Sequence, residues 1–392
     1  MPKSILILGG SHSETVLIEA AKKLNLKVFT TGNRPEHLGH QYSDKYFSGD
    51  FSNFDEMLEI AKRSKCDYIC AGANDFSYLS ACHVAEKIGF HGFDSLEIAY
   101  AIHHKHLFKP IASSIGLPTT RFKIINLDEN IDFSKLNLRL PLVIKPVDLT
   151  GGKGISKVNK FEDLKIALDS IKMLTKQKFA VIEEYFEGSL HSYSTIIEDG
   201  KVVFQYADNE HCYPNPYLVS ASTSLASVPI DIFRDLKFQS EKFAKHLNLK
   251  NGVLHCQFIY SLGEYVILEF TRRCSGDLYS SVVQHVTGFN HGQQFIRQSM
   301  GHELTLKKEK VTSEFVSRHC IFSSQMGSYQ HLKIAPSISK HIILIKEAFA
   351  PCYEITKANK EKMAVVLLKF SSHSEMLNTV DKLESSISCV VA

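Results

Sequence analysis

The sequence has little of what marks membrane, secreted or zinc-stabilised proteins. Its 392 residues include no apolar run near the roughly 20 residues that a membrane-spanning helix needs. The nine cysteines are scattered and form no CxxC pair, so neither a disulfide framework nor a zinc site is expected. The opening residues, MPKSILILGG, begin a strand too soon for a signal peptide. These absences predict a cytoplasmic protein with no membrane partner.

An excess of charge of one sign is also missing. Lysine and arginine total 45 against 42 aspartates and glutamates, a formal net charge of +3. This balance gives no reason to expect nucleic acid or an anionic membrane as a partner. The hydrophobic content of 44% and the charged content of 22% are ordinary for a globular protein, and the length allows two or three domains.

The first hundred residues alternate between strand and helix patterns. An apolar run over residues 4–8 ends in two glycines, helical spacing follows from Glu14 to Leu24, and residues 28–31 resemble the next strand. This order predicts a βαβ unit on a parallel sheet. Further helix and strand patterns extend it to a doubly wound domain over residues 1–100.

The two glycines also raise the question of a nicotinamide cofactor. The fingerprint G-x-G-x-x-G is absent, because the residues after Gly9 and Gly10 contain no further glycine up to Glu14. The next strand, VFTTGN, ends without the carboxylate that would bind a ribose. A tight turn is therefore favoured over dinucleotide binding.

From Leu142 onward the pattern changes to strands and hairpins. Asp199 and Gly200 lie between two alternating runs, which is a strong hairpin signal. A second hairpin is predicted from strands at 252–260 and 264–270. Mixed strands and a last helix follow after residue 305, and no internal repeat or low-complexity tract occurs.

A glycine-rich loop follows an apolar strand in the stretch LVIKPVDLTGGKGI, residues 142–155. Gly151, Gly152 and Gly154 give the backbone the freedom to bring N–H groups close to phosphate oxygens, and Lys145 supplies a cation. No GK[ST] sequence opens a helix here, so this is not a P-loop. On its own the stretch also fits a hairpin turn with an extended lysine.

Two further stretches carry polar groups at strand ends. In FAVIEEYF, residues 179–186, the end of the strand could present a carboxylate and backbone groups to the edge of adenine, or be a solvated strand end. In the hairpin at 252–273, strand alternation puts His255 and Gln257 on one face. It puts Glu269, Thr271 and Arg273 on one face of the partner strand, with Leu268 and Phe270 toward the core. Oxygen ligands suit magnesium, and an arginine suits an anionic intermediate. The simpler alternative for this face of the hairpin is a solvated Glu–Arg pair.

The three stretches occur in a fixed order after a βαβ domain, and that order resembles the ATP-grasp superfamily over nearly the whole chain. The branch it resembles includes biotin carboxylase, carbamoyl phosphate synthetase and amino-acid ligases. The resemblance implies a combined α/β and α+β fold. It consists of a doubly wound pre-ATP-grasp domain over 1–100, an ATP-grasp domain over 101–305 with its lid at about 140–190, and a mixed C-terminal segment over 306–392.

The resemblance also assigns roles to individual residues. The phosphate-binding lysines match Lys105, with Lys109 as an alternative, and Lys145. The remaining matches are the glycine loop over Thr150–Gly154, the adenine hinge at Glu183, Glu184 and Phe186, the ribose contact at His191, the magnesium ligands Gln257, Glu269 and Thr271, and the catalytic arginine Arg273.

Three positions depart from the pattern of the superfamily. Gln257 is neutral where many members have a glutamate, Thr271 replaces an asparagine, and Leu190 replaces a ribose-binding glutamate next to His191. An amide or hydroxyl oxygen still binds a hard cation, but with less charge to offset it. His255 is a candidate base or substrate contact, with a buried structural histidine as the alternative.

The implied activity is ATP- and Mg2+-dependent ligation of a small carboxylate to an amine, amino acids among the options, through an acyl phosphate. Two alternatives stay open: a carboxylase-type enzyme that phosphorylates bicarbonate, and a nucleotide-binding module with reduced catalysis. Substrate choice is expected in loops such as 209–217, and a homodimer is one option for the oligomeric state.

Overall fold

The structure is a computed structural model that describes residues 2–213, 215–306, 311 and 315–392. Within these ranges, none of the helices has the length and apolar character needed to cross a membrane.

The strands run in the following order along the chain: β1 Ser4–Leu8, β2 Lys27–Gly32, β3 Lys45–Ser48, β4 Tyr68–Ala71, β5 Phe122–Asn126, β6 Leu142–Pro146, β7 Ser156–Val158, β8 Phe179–Glu184, β9 Ser189–Glu198, β10 Lys201–His211, β11 Ala221–Ser224, β12 Gly252–Ser261, β13 Glu264–Thr271, β14 Val316–Phe322, β15 Gly327–Ile334, β16 Ile342–Glu347, β17 Glu354–Ile355, β18 Lys362–Lys369 and β19 Ile387–Val391.

The α-helices are α1 Thr15–Lys23, α2 Phe54–Ser64, α3 Asp75–Ile88, α4 Leu96–His103, α5 Lys105–Ser114, α6 Leu164–Lys172, α7 Ile230–His246, α8 Tyr279–Thr287, α9 His291–Ser299, α10 Pro336–Ser339, α11 His373–Val380 and α12 Leu383–Ser386.

The N-terminal sheet has the parallel order β3-β2-β1-β4. Its central strand β1 is buried along its whole length, which explains the unbroken apolar run in the sequence. Helix α9, far along the chain, packs against α1 and β4. The predicted doubly wound sheet is confirmed, and a helix from beyond residue 290 completes its packing.

The glycine turn after β1 is closed by a glutamate. The Glu14 carboxylate accepts hydrogen bonds from the backbone N–H groups of Ser11 and Ala73, at 2.8 Å each. A Cβ at Gly9, which has a φ of +148°, would lie 2.6 Å from Cδ of Glu14. The carboxylate thus takes the N–H groups that an anion would need, as expected for a structural turn rather than a dinucleotide site.

A second, small sheet carries the glycine loop. Its antiparallel order is β5-β8-β6-β7, and Lys145 lies on β6, directly before the loop that leads to β7. Helix α6 covers one face of this sheet through Leu164, Leu168 and Ile171, which are buried at helical spacing. The sheet and helix therefore form one body that holds the loop.

The largest sheet joins the middle of the chain to its C-terminal part. Its order is β13-β12-β9-β10-β11-β14-β18-β16. The last three of these strands come from beyond residue 315, so the C-terminal segment extends the same sheet that carries the 252–271 hairpin. The domain boundaries at 100 and 305 stay predictions, and the second falls beside residues 307–310 and 312–314, which lie outside the described ranges.

Candidate active site

A cavity of about 960 Å³ opens between the small sheet and the large sheet. Most of the residues assigned from the resemblance line it, and these are Lys105, Lys145, Gly151, Gly152, Phe186, His191, Gln257, Glu269, Thr271 and Arg273. Three others, Gly154, Glu183 and Glu184, lie outside the lining. Segments distant in sequence therefore converge on one space, and their functional roles stay predictions.

Two lysines face the cavity from different elements. Lys105 is the first residue of α5, and its Nζ lies 3.3 Å from a Glu269 carboxylate oxygen. Burial would lower the pKa of Lys105, but Glu269 and Asp75 outweigh that effect and raise it. The Nζ of Lys145 lies 3.2 Å from Glu183. Lys105, Lys145, Gly151 and Gly152 are called the lysine group below.

Glu183 anchors a buried ion-pair network beside the lysine group. Its second carboxylate oxygen lies 2.8 Å from Nζ of Lys109, and the hydroxyl of Thr120 donates to the same oxygen at 2.6 Å. Burial would raise the pKa of Glu183, but Lys109 and Lys145 hold it below its usual range. Lys109, the alternative phosphate ligand, is fully buried and does not line the cavity, whereas Lys105 does.

The adenine-hinge residues have different surroundings from one another. The carboxylate of Glu184 accepts hydrogen bonds from Arg121 and Arg139 on the outer side of the small sheet. Phe186 lines the cavity. The side chains of the two glutamates are therefore occupied by other partners, and only their backbone groups are available for the hinge role.

His191 lies at the cavity wall in a nearly closed environment. Its Nε2 lies 2.6 Å from the hydroxyl of Ser189, and its ring stacks on Phe258 at a centroid distance of 5.1 Å. Burial lowers the pKa of His191 to about 4, so the imidazole is neutral at physiological pH. A neutral ring can exchange hydrogen bonds with a sugar hydroxyl, as the ribose role requires.

The glycine loop contacts a loop of the large sheet. A Cβ at Gly152, whose φ is +72°, would lie 2.3 Å from the carbonyl oxygen of Tyr217. No other residue fits this approach without a shift of the backbone. Residues 209–217 were predicted to be a loop, but β10 continues to His211, and Pro214 lies outside the described residues.

The hairpin of β12 and β13 sets the geometry of the proposed metal ligands. Gln257 lies directly opposite Glu269, and His255 lies opposite Thr271. A β-bulge at Gln257 and Phe258 shifts the register by one residue. The prediction that Leu268 faces the core is therefore wrong, since Leu268 is half-buried and lines the cavity.

The two consecutive arginines after β13 have separate functions. Arg272 is fully buried, and its Nε donates to Asp94 at 2.7 Å, which makes it a structural residue. Arg273 lines the cavity, and its Nε donates to Asp75 at 2.7 Å. Burial would raise the pKa of Asp75, but Arg273 and His103 keep it below its usual range. The ionised Asp75 holds Arg273 in place at the cavity wall.

Sequence reasoning missed several charged residues at the same cavity. Glu210 on β10, Asp277 before α8 and Arg318 on β14 all line it, and they are called the arginine group below. Glu210 and Arg318 both lie opposite Ser222 of β11, so they occupy one row across three strands. A charged residue in the middle of a strand, Arg318 in VSRHCIF, was the available signal.

Buried charges in and beside the arginine group shift one another's pKa values. Burial and the neighbouring Asp208 raise the pKa of Glu210 to about 8, against the opposing effect of Arg318. Burial raises the pKa of Asp208 to about 6. Asp277 lies 2.5 Å from Nζ of Lys362 and has a φ of +56°, a strained conformation of the kind found at functional sites.

The groups around Gln257 suit a hard divalent cation. They offer the Glu269 carboxylate, the Gln257 amide oxygen and the Thr271 hydroxyl, which is buried and has no hydrogen-bond partner among the described residues. In those residues no cluster of three or more His, Cys, Asp or Glu side chains could hold an ion alone. Magnesium at nucleotide sites is held by one or two carboxylates together with phosphate oxygens.

Comparisons with known proteins agree with this geometry. The family model of the ATP-grasp domain matches residues 138–281. The formate-dependent phosphoribosylglycinamide formyltransferase of Prochlorococcus marinus subsp. pastoris is 24% identical over 356 residues, which cover 88% of each chain.

Solved structures resemble the whole chain. The L-amino acid ligase from Bacillus licheniformis has a TM-score of 0.81 at 14% identity, over 100% of this chain and 99% of that one. The biotin carboxylase domain of the Hydrogenobacter thermophilus 2-oxoglutarate carboxylase, in complex with MgADP, ADP and bicarbonate, has a TM-score of 0.82 at 15% identity, over 100% and 91% of the two chains. The predicted fold class is confirmed.

Proposed function

Because the chain belongs to the ATP-grasp superfamily, as its motifs predicted, we propose that it is an ATP-dependent ligase that joins a small carboxylate to an amine. The acid would be activated as an acyl phosphate, and ADP and phosphate would be released. The observation that supports this most strongly is the convergence of the lysine group, Glu269 and Arg273 on one cavity.

The lysine group would bind and orient the triphosphate. Lys105 and Lys145 each have a carboxylate partner within 3.3 Å, so both are held in place before a nucleotide arrives. The glycine loop offers backbone N–H groups to the phosphate oxygens. Phosphoryl transfer depends mostly on such positioning and on neutralisation of charge.

Glu269, Gln257 and Thr271 would hold Mg2+ together with phosphate oxygens, since their oxygen atoms suit that ion. When bound, the ion would neutralise charge that builds up on the transferred phosphoryl group. The neutral Gln257 contributes no charge of its own, so the charged neighbours of this residue matter for the site.

Two arginines would handle the anions at the reacting centre. Arg273, fixed by Asp75, would stabilise the acyl phosphate and the tetrahedral state formed by the attacking amine. Arg318 would bind the carboxylate substrate, because its guanidinium offers a planar pair of donors to that group. The closed contact between Gly152 and Tyr217 would keep water from the acyl phosphate.

The finer assignments belong to the same proposal. The substrates would be small molecules with carboxylate and amine groups, amino acids included, without nucleic acid or membrane as a partner. The enzyme would act in the cytoplasm, with a homodimer as one option. The adenine hinge would use backbone groups near Glu184 and Phe186, and His191 would contact the ribose.

A phosphate-release screen tests the proposed function. The purified chain is incubated with ATP, Mg2+ and pools of amino acids, dipeptides, hydroxy acids, formate and bicarbonate, each with and without an amine. We expect ADP and phosphate to form only when a carboxylate and an amine are both present. Release that needs bicarbonate alone would replace the ligase with a carboxylase-type activity, and nucleotide binding without release in every pool would indicate a binding module.

A further inference from the structure

The neutral side chain at position 257 has a carboxylate as its direct partner. The amide nitrogen of Gln257 donates a hydrogen bond of 2.7 Å to Glu210. Glu210 is on β10, and β9 lies between that strand and β12, which carries Gln257. The two side chains therefore meet over the face of the sheet that lines the cavity.

This hydrogen bond determines which atom of the amide remains for a ligand. A glutamine side chain has two N–H donors and one acceptor oxygen. An oxygen of Glu210 accepts from the amide nitrogen, so the oxygen of Gln257 remains for another partner. An amide oxygen is a ligand that hard divalent cations use.

A second observation points to a ligand at the same place. The hydroxyl of Thr271 is buried, with 4% of the residue exposed, and has no hydrogen-bond partner among the described residues. Thr271 and Glu210 both line the cavity, together with Gln257 and Glu269. A buried hydroxyl without a partner is expected to meet a bound group or water.

We propose that Glu210 fixes the Gln257 amide so that its oxygen can bind a divalent cation. This inference rests on the proposed function, because the cation would enter with the nucleotide. Glu210 is a positioning residue in this scheme. It acts on the cation through Gln257, and contact with the reacting atoms is not required.

Binding of Mn2+ tests the inference without any turnover. Electron paramagnetic resonance measures free Mn2+ in titrations of the full chain that is saturated with adenylyl imidodiphosphate. We expect E210Q to weaken Mn2+ binding by about tenfold, the lower range for loss of a group that supports a metal ligand. The double variant E210Q/Q257E exchanges the two side chains and keeps the net charge, so it should bind Mn2+ within about threefold of the wild type.

A matched control separates this effect from a general loss of a glutamine–carboxylate pair. The amide of Gln239 donates to Asp235 at 3.1 Å, away from the cavity. D235N should leave the affinity for Mn2+ unchanged. Circular dichroism and the affinity for the metal-free nucleotide analogue establish that each variant is folded and binds nucleotide.

The outcomes distinguish the two levels of the proposal. If the wild type binds Mn2+ with the nucleotide and E210Q binds it equally well, the inference is wrong and the proposed function stands. The inference is likewise wrong if the folded double variant binds Mn2+ about tenfold more weakly than the wild type, and this comparison with the wild type decides the case where E210Q itself fails to fold. If the wild type binds neither the nucleotide nor Mn2+, the proposed function fails and the inference fails with it.

Discussion

The lysine group and the arginine group line the same cavity, but the chain builds them in different ways. The lysine group comes from the start of one helix and from a strand with the glycine loop that follows it. The arginine group comes from β10, from β14 and from the turn before α8. The pairing of β10 and β14 with β11 brings Glu210 and Arg318 together. The phosphate chain of ATP is constant and can be bound by local backbone, whereas the acid and the amine vary between enzymes of one fold.

The largest effect is expected from Lys145→Ala in the lysine group. Removal of a fixed cation beside the phosphates should lower the rate of ADP formation by about a thousandfold, because its charge acts in a site with little water. A coupled assay of ADP release measures this rate. Lys123→Ala, on the exposed side of the same small sheet, is the control and should keep wild-type turnover. Near-normal turnover in Lys145→Ala would separate this lysine from the reaction.

The next effect concerns stability beside the lysine group. Glu183→Gln leaves the buried Lys109 without its ion pair and should lower the free energy of unfolding by about 3 kcal/mol. The neighbouring Glu184→Gln breaks only partly exposed pairs with Arg121 and Arg139, so it should cost less than about 1 kcal/mol. Urea denaturation compares the two. Equal losses would show that the buried network adds no stability of its own.

Arg318→Lys tests the arginine group, and the expected loss of turnover is smaller than for Lys145→Ala. A lysine keeps the charge but loses the planar pair of donors, so turnover should fall by about a hundredfold. Nucleotide affinity, measured by calorimetry, should stay within about threefold, because the lysine group remains intact. A loss of nucleotide affinity equal to the loss of turnover would place Arg318 at the phosphates and erase the distinction between the groups.

The smallest expected effect is a pH dependence of the free energy of unfolding, and it comes from the buried His291. His291 is fully buried and bonded to Ser280 and Ser194, and burial lowers its pKa to about 4. In the unfolded chain the pKa is about 6.5, so the unfolded state binds more protons and stability falls as the pH drops from 6.5 toward 4. Between pH 7.5 and 5.5 this group should account for about 1 kcal/mol. His291→Gln should reduce the slope in urea denaturation by that amount, and an unchanged slope would contradict the neutral assignment.

The sequence was sufficient for the parts of the site that depend on local pattern. The apolar strand of Lys145, its glycine loop and the alternation of Gln257, Glu269 and Thr271 all led to residues that line the cavity. These predictions succeed because side-chain direction follows directly from strand alternation. A run of glycines likewise indicates a loop whose backbone can adopt conformations that other residues avoid.

The parts that could not be predicted depend on pairing between distant strands. Nothing near Glu210 or Arg318 in the sequence indicates that both lie opposite Ser222. The bulge that turns Leu268 into the cavity has no glycine or proline to announce it. The hinge at Glu183, Glu184 and Phe186 was expected to act mostly through backbone atoms, but nothing in the sequence shows that the two carboxylates pair with a buried lysine and with two arginines.

The continuity of the large sheet limits how this protein can be divided. The segment that matches the family model, 138–281, contains the glycine loop and the hairpin but neither Lys105 nor Arg318. Strand β14 is hydrogen-bonded to β11, so a fragment that stops before residue 316 would expose a bare edge in the middle of the sheet. Expression of the matched segment alone should therefore yield an aggregation-prone piece with an open-sided cavity, and engineering of its specificity has to begin from the whole chain.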